Sequence, residues 1–169
     1  MTNIENLMDV LCPLGIKQVK LKEIFSLFSG MTGVSSKWAA PGNCCFIDYM
    51  NVYKNIVVDV TDRKPATVKS QKQNTLKQGD ILFTSASEVP EECAIAAEIE
   101  DEIVDSIYLD DHLFALRVTD SCTRYFARGF LKYAFASSSF RKDVKKAVRG
   151  VTRFYISKPD FMNLSIPLP

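Results

Sequence analysis

TRYFARGFLKYAFASSSFRKDVKKAVRGVTRFYISKPDFMNLSIPLP, residues 123–169, is the part of this chain from which the rest can be read. Between positions 124 and 158 it carries Arg124, Arg128, Lys132, Arg141, Lys142, Lys145, Lys146, Arg149, Arg153 and Lys158. Only Asp143 opposes them, which leaves a local charge of +9. The whole 169-residue chain has a formal net charge of +1, so the positive charge is segregated along the sequence. A concentrated cationic face suits a polyanion, nucleic acid above all. A solvated helix face rich in Lys and Arg is the plainer reading of the same residues.

The stretch also has shape. Phe126, Phe130, Leu131, Ala134 and Phe135 fall near the spacing of one helix face, which predicts a first helix. Ser137, Ser138 and Ser139 interrupt it, and one of them is expected to cap a second helix running to about Val148. Gly150 is placed to end that helix in a left-handed conformation. The TRFYIS run, with its β-branched and aromatic residues, predicts a short strand; Pro159 stops it ahead of a turn or brief helix.

The order FLKYAFASSSFRKDVKKAVRGVTRFYIS, then LSIPLP, resembles the end of a target recognition domain from the DNA-specificity subunits of type I restriction–modification systems. The resemblance rests on Phe130, Leu131, Tyr133, Phe140, Arg141, Ala147, Gly150, Thr152, Arg153, Ile156, Ser157 and the terminal Ile-Pro-Leu-Pro. Two further pieces are similar to the family. One is the Cys-Pro-Leu-Gly opening at 12–15 followed by Leu21-Lys22-Glu23-Ile24. The other is Leu76-Lys77-Gln78-Gly79-Asp80 leading into Ile81-Leu82-Phe83-Thr84. The resemblance implies an α/β (α+β) fold, a twisted and largely antiparallel sheet flanked by helices, forming a single target recognition domain over 1–169. That domain ends where the family's long spacer helix would begin. It also implies a non-catalytic role: binding double-stranded DNA and reading one half of a bipartite target. Methylation (M) and restriction (R) subunits would supply methyl transfer and ATP-driven cleavage, and a second recognition domain or half-subunit would complete the target.

Composition agrees with a soluble globular domain: 47% hydrophobic and 24% charged residues, on a chain long enough for a proper core. No run approaches the roughly 18 apolar residues a membrane helix needs. Five cysteines (Cys12, Cys44, Cys45, Cys93, Cys122) lack a metal-type spacing, and His112 is the only histidine. Reduced thiols in a cytoplasmic protein are expected, with no metal site and no cofactor. There is no methyltransferase motif, no phosphate loop ending in Gly-Lys-Ser/Thr, no nuclease carboxylate cluster and no nucleophile–base pair, so no catalytic residue is assigned.

Along the chain, residues 4–11 predict a short helix, and Ser26 to Phe28 a strand. A loop through Ser29, Gly30, Ser36, Lys37 and Trp38 follows. Cys45 to Tyr49 predicts a strand, Met50 to Asn55 a turn or helix, and the β-branched run Ile56 to Val60 another strand. Residues 63–77 carry Arg63, Lys64, Lys69, Lys72 and Lys77 without an acid and read as an exposed loop, either merely solvated or facing DNA. Positions 81–83 predict a core strand that delivers Thr84, Ser85 and Ser87 to its tip. Between Glu88 and Asp120 eleven acids oppose only Arg117, a local charge of −10. That segment, with strands near 94–99 and 112–118, is expected to face away from DNA.

Two roles follow for the basic and polar side chains. Arg63, Lys64, Lys69, Lys72, Arg124, Arg141, Lys145 and Arg149 are expected to hold phosphates, with an affinity that falls as salt rises. Ser36, Lys37, Ser85, Ser87, Thr152 and Arg153, on loop tips, are candidates for reading base edges; for Arg153 a structural pair with a carboxylate is the competing reading. Two rival functions remain open. One is a protein-interaction module working through the acidic 88–120 face; the other is an RNA-binding domain, which lacks the aromatic signature of the common sheet-based modules.

Overall fold

The structure is a computed structural model that describes residues 15–31, 34–36, 42–68 and 73–168. In chain order its strands are β1 (Gln18–Lys20), β2 (Phe25–Ser29), β3 (Val34–Ser36), β4 (Cys44–Ile47), β5 (Lys64–Val68), β6 (Ile81–Thr84), β7 (Ala86–Ser87), β8 (Ala96–Glu98), β9 (Ile107–Leu109), β10 (Leu113–Val118), β11 (Phe154–Tyr155) and β12 (Ser165–Pro167). The helices are α1 (Leu21–Ile24), α2 (Tyr49–Lys54), α3 (Phe130–Ala136), α4 (Ser138–Ala147) and α5 (Lys158–Met162). The expected helix at 4–11 lies outside the described residues, as do Cys12, Lys37, Trp38, Lys69 and Lys72.

A four-stranded sheet of order β2-β10-β6-β8, antiparallel throughout, forms the centre. All four residues of β6 are buried, because the sheet is covered on both faces and each side chain meets a core whichever way it points. Ile81 and Phe83, with Phe114 and Leu116 of β10, belong to one core. Leu82, Leu113 and Ala115 belong to the other. The first core is closed by α3, α4 and α5 and is dominated by phenylalanine. The Phe83 ring meets Phe114, Phe135 and Phe161 at centroid distances of 5.2, 5.0 and 4.9 Å. The second core is closed by α2, through Val52, and by Ile47, Ile107 and Leu109 of a second sheet, β3-β5-β4-β9, in which β4 and β9 run parallel.

The C-terminal helices form for the reasons their sequence supplies. Leu131, Ala134 and Phe135 of α3 and Phe140 and Val144 of α4 are buried. The Ser137 hydroxyl accepts from the Phe140 amide (3.3 Å) and caps α4. Ser157 does the same for α5, accepting from the Asp160 amide (3.1 Å) with Pro159 in the first turn. The buried Glu98 carboxylate serves α3, accepting from the Gly129 and Lys132 amides, each at 2.9 Å.

Several local expectations need correction. Ile56 to Val60 is not a strand: only Val57 bridges to Glu98, and the Asn51 side chain occupies the adjoining backbone, donating to Asp59 O and Asp62 O and accepting from the Asp59 amide. Residues 64–68 are not loop but β5, placed between β3 and β4 by pairing that the polar sequence does not announce. Tyr49 belongs to α2 rather than to β4, because the Asp48 carboxylate accepts the Asn51 amide and starts the helix there. Gly150 does not cap α4, which ends on an extended Val148.

The largest correction concerns charge. The acidic segment does not turn away from the basic one; it packs beneath it. Glu91 pairs with Lys145, Glu100 pairs with Lys132, and Glu98 caps α3. Arg63 pairs with Asp105 at 2.9 Å. Opposite charges separated in sequence attract once the chain can fold back, so segregation along the chain becomes neutralisation in space.

Candidate nucleic-acid interface

The register of the central sheet separates the expected basic surface into two ends. Thr84 lies opposite Leu113 at one end, and Ile81 opposite Leu116 toward the other. Past Val118 the chain makes the turn Asp120–Tyr125, where Arg124 stacks over the Tyr125 ring at 5.1 Å. Arg128 lines a cavity of about 520 Å³ with Gln78, Gly79 and Val118, at this same lower end. From there α3 and α4 climb to the upper end, so Arg124 does not join Arg149 and Arg153 on one surface.

At the upper end the structure does bring two loop tips together. β7 pairs with β11, with Ser87 opposite Phe154 and Ala86 opposite Tyr155. The turn before β11 is closed by reciprocal hydrogen bonds between Arg149 and Tyr155, N to O at 2.8 and 2.9 Å. Gly150, at φ 124°, packs so tightly inside it that a Cβ would meet Arg153 O at 2.1 Å. Val151, Thr152 and Arg153 project from this turn, all exposed. Arg153 forms no ion pair with any described residue, so its guanidinium fork is available to a planar acceptor. Lys158 also reaches this end, donating from Nζ to Ser29 Oγ.

The serines are more committed than their sequence suggests. Ser85 Oγ donates to His112 O at 2.6 Å, and Ser87 Oγ to Glu92 Oε2 at 3.2 Å. A hydroxyl has one proton, so both can only accept from a ligand. Arg141, expected to hold a phosphate, is turned inward. Its guanidinium donates to Ala94 O (2.6 Å), Glu91 O (2.7 Å) and Cys93 O (2.6 Å), and burial pushes its pKa down from the ordinary arginine value. Lys145, Arg63 and Lys64 are held by Glu91, Asp105 and Asp62. Ser36 lies on β3, at the edge of the second sheet.

Composition did not point to the aromatic lining of this end. A cavity of about 450 Å³ lies between the loop tips, bounded by Tyr49, Tyr53, Ser87, Glu92, His112 and Arg153. The tyrosine rings stack at 5.8 Å, an i, i+4 pair on α2 that the spacing in YMNVYK could have signalled. Burial first, then the Glu92 carboxylate, raise the Tyr49 phenol above its ordinary pKa, and a hydrogen bond with Glu92 raises that of Tyr53. Both therefore remain protonated hydroxyls at neutral pH. His112 Nδ1 sits 2.9 Å from Asp110 Oδ1 and 2.7 Å from Asp111 Oδ1. These three side chains form a group of possible metal-ligating atoms within 4.8 Å of one another, but they are engaged with each other. Among the described residues no helix is long and apolar enough to cross a membrane. What the edge offers is a cationic turn, hydroxyl groups, an imidazole and stacked rings, a set suited to base edges and phosphates.

Residues 13–169 match the family model for the type I restriction modification DNA specificity domain. Solved structures of similar fold include an S subunit of a type I restriction–modification system from M. genitalium, with 14% identity and a TM-score of 0.54 over 90% of this chain and 34% of that one. The HsdS subunit from Thermoanaerobacter tengcongensis gives 20% identity and a TM-score of 0.58 over 98% of this chain and 39% of that one. A third chain, from a structure on complex assembly and conformational transition of the type I R-M system, gives 21% and 0.57 over 98% and 40%. This chain thus spans about a third to two fifths of the length of those proteins. No curated protein matches it.

Proposed function

We propose that this chain, which belongs to the family of type I restriction modification DNA specificity domains, binds duplex DNA through the upper end of its central sheet and reads one part of a bipartite target. Family membership over residues 13–169 carries the reading. The turn at 149–155 is its physical counterpart: Arg153 and Thr152 read base edges, while Lys142 and Lys158 meet phosphates, and Arg149 and Lys146 would exchange their exposed partners Asp160 (3.5 Å) and Asp143 (2.8 Å) for them. The domain contributes recognition and no chemistry. In a cytoplasmic complex the methylation and restriction subunits would act on the DNA it holds, with a second recognition domain reading the other half. The acidic 88–120 segment is a weaker candidate for a protein-binding face, since Glu91, Glu98, Glu100 and Asp105 are engaged within the domain.

A salt titration tests the reading. With several of the basic residues paired internally, about 3–5 phosphate contacts remain, and log K for duplex DNA should fall with log salt at a slope of roughly −3 to −5. Duplex RNA of the same sequence should bind more weakly, because its deep, narrow major groove hides the base edges. A slope near zero, or equal binding to both duplexes, would count against it.

A further inference from the structure

We propose that Arg141 is a positioning residue that holds the DNA-reading edge in register from behind, through the turn at 90–94. The proposal rests on the reading above, that this edge binds DNA. Arg141 projects from α4 and gathers the carbonyls of Glu91, Cys93 and Ala94. The planar guanidinium reaches these carbonyls from two nitrogens set apart, Nη1 to Ala94 and Nη2 to Glu91 and Cys93, a span that the single nitrogen of an ammonium does not cover. The turn it holds is one that resists forming unaided, because Ala94 takes φ 51°, a left-handed conformation unfavourable to any residue with a Cβ.

The turn is bound in its other direction to the reading edge. The Ala94 amide donates to Thr84 O at 3.1 Å, the Ile95 amide to Thr84 Oγ1 at 3.0 Å, and Thr84 Oγ1 to Glu92 O at 3.3 Å. Glu92 Oε2 accepts from Ser87 Oγ, and Ser87 Oγ accepts from the Val89 amide at 3.1 Å. Ser87 lies opposite Phe154, the residue after Arg153. An unbroken series of hydrogen bonds and one strand pair thus runs from the Arg141 fork to the Arg153 fork. Half-buried and with three of its five N–H donors on backbone carbonyls, Arg141 is committed to the turn rather than to a phosphate.

The test uses the full chain with Arg141→Met and Arg141→Lys, alongside Glu92→Ala, which leaves the Arg141 fork in place and cuts the turn from Ser87. Two readouts are taken. Amide hydrogen exchange should accelerate about 10-fold or more at Val89, Ala94, Ile95 and Tyr155, with Phe83 and Leu116 unchanged. On duplex DNA, the preference for a sequence selected from a random pool over a scrambled duplex should fall about 10-fold, while the salt slope is kept. Lys at 141 should not rescue either readout. A salt slope reduced by about one with the preference intact would make Arg141 a phosphate contact and overturn the proposal. So would exchange that stays slow at Tyr155. If the wild-type chain binds no DNA, the function above fails, and exchange at Tyr155 still decides whether Arg141 positions this edge. If Arg141 variants do not fold, Glu92→Ala decides: exchange should accelerate at Val89 and Tyr155 but not at Ala94 and Ile95, and the preference should fall; no change at Tyr155 would overturn the proposal.

Discussion

Replacing Asp80 with alanine is expected to lower the unfolding free energy by about 3–5 kcal/mol. The Asp80 side chain is fully buried and takes a two-pronged bond from Arg117, Nε to Oδ1 at 2.7 Å and Nη2 to Oδ2 at 2.6 Å. It also accepts from the Lys77 amide at 2.7 Å, fixing the turn that launches β6. The same bonding raises the Arg117 pKa above its ordinary value; arginine keeps its proton in a folded protein, so removing Asp80 leaves a part-buried guanidinium with Thr75 O, at 2.8 Å, in place of its carboxylate. Breaking such a pair costs far more than replacing both partners. Asp80→Ala with Arg117→Met should therefore recover much of the loss. Urea unfolding measures both. A loss below about 1 kcal/mol for the single variant would show that the pair behaves as a surface ion pair does.

Arg153→Ala should reduce affinity for the preferred duplex by about 5- to 150-fold, equivalent to about 1–3 kcal/mol, with little effect on scrambled DNA. The reason is geometric. The closed turn from Arg149 to Tyr155, with Gly150 packed inside it, fixes the direction in which the fork projects. Lysine should not substitute, because it lacks the fork. Fluorescence anisotropy on the two duplexes separates the outcomes: equal loss on both would make Arg153 a phosphate contact.

How far the sequence reached depended on whether the governing interaction was local. Ser137 capping α4 and the apolar stripe Leu131, Ala134, Phe135 involve residues within a turn of each other, and their spacing was legible. So was β6, an apolar run launched by Gly79-Asp80. β5 was not, because Lys64-Pro65-Ala66-Thr67-Val68 has no strand-like alternation and is held by neighbours on both sides. Arg141 looked like one more cation on a basic helix. Its position beside Phe140, at the margin of the buried stripe, was the only sign that it faces inward. The charge pattern misled for the same reason: Glu91 and Lys145 are 54 residues apart, and no local rule joins them. Family likeness, resting on many residues in order, survived where the electrostatic argument did not.

The most direct measurement is an amide chemical-shift map of the domain titrated with its preferred duplex. Shifts are expected to cluster at Ser85, Ser87, Thr152, Arg153 and Tyr155, with Arg124, Arg128 and Lys132 at the lower end unmoved. Shifts centred on Arg124 and Arg128, with the turn at 149–155 silent, would contradict DNA binding through the upper end.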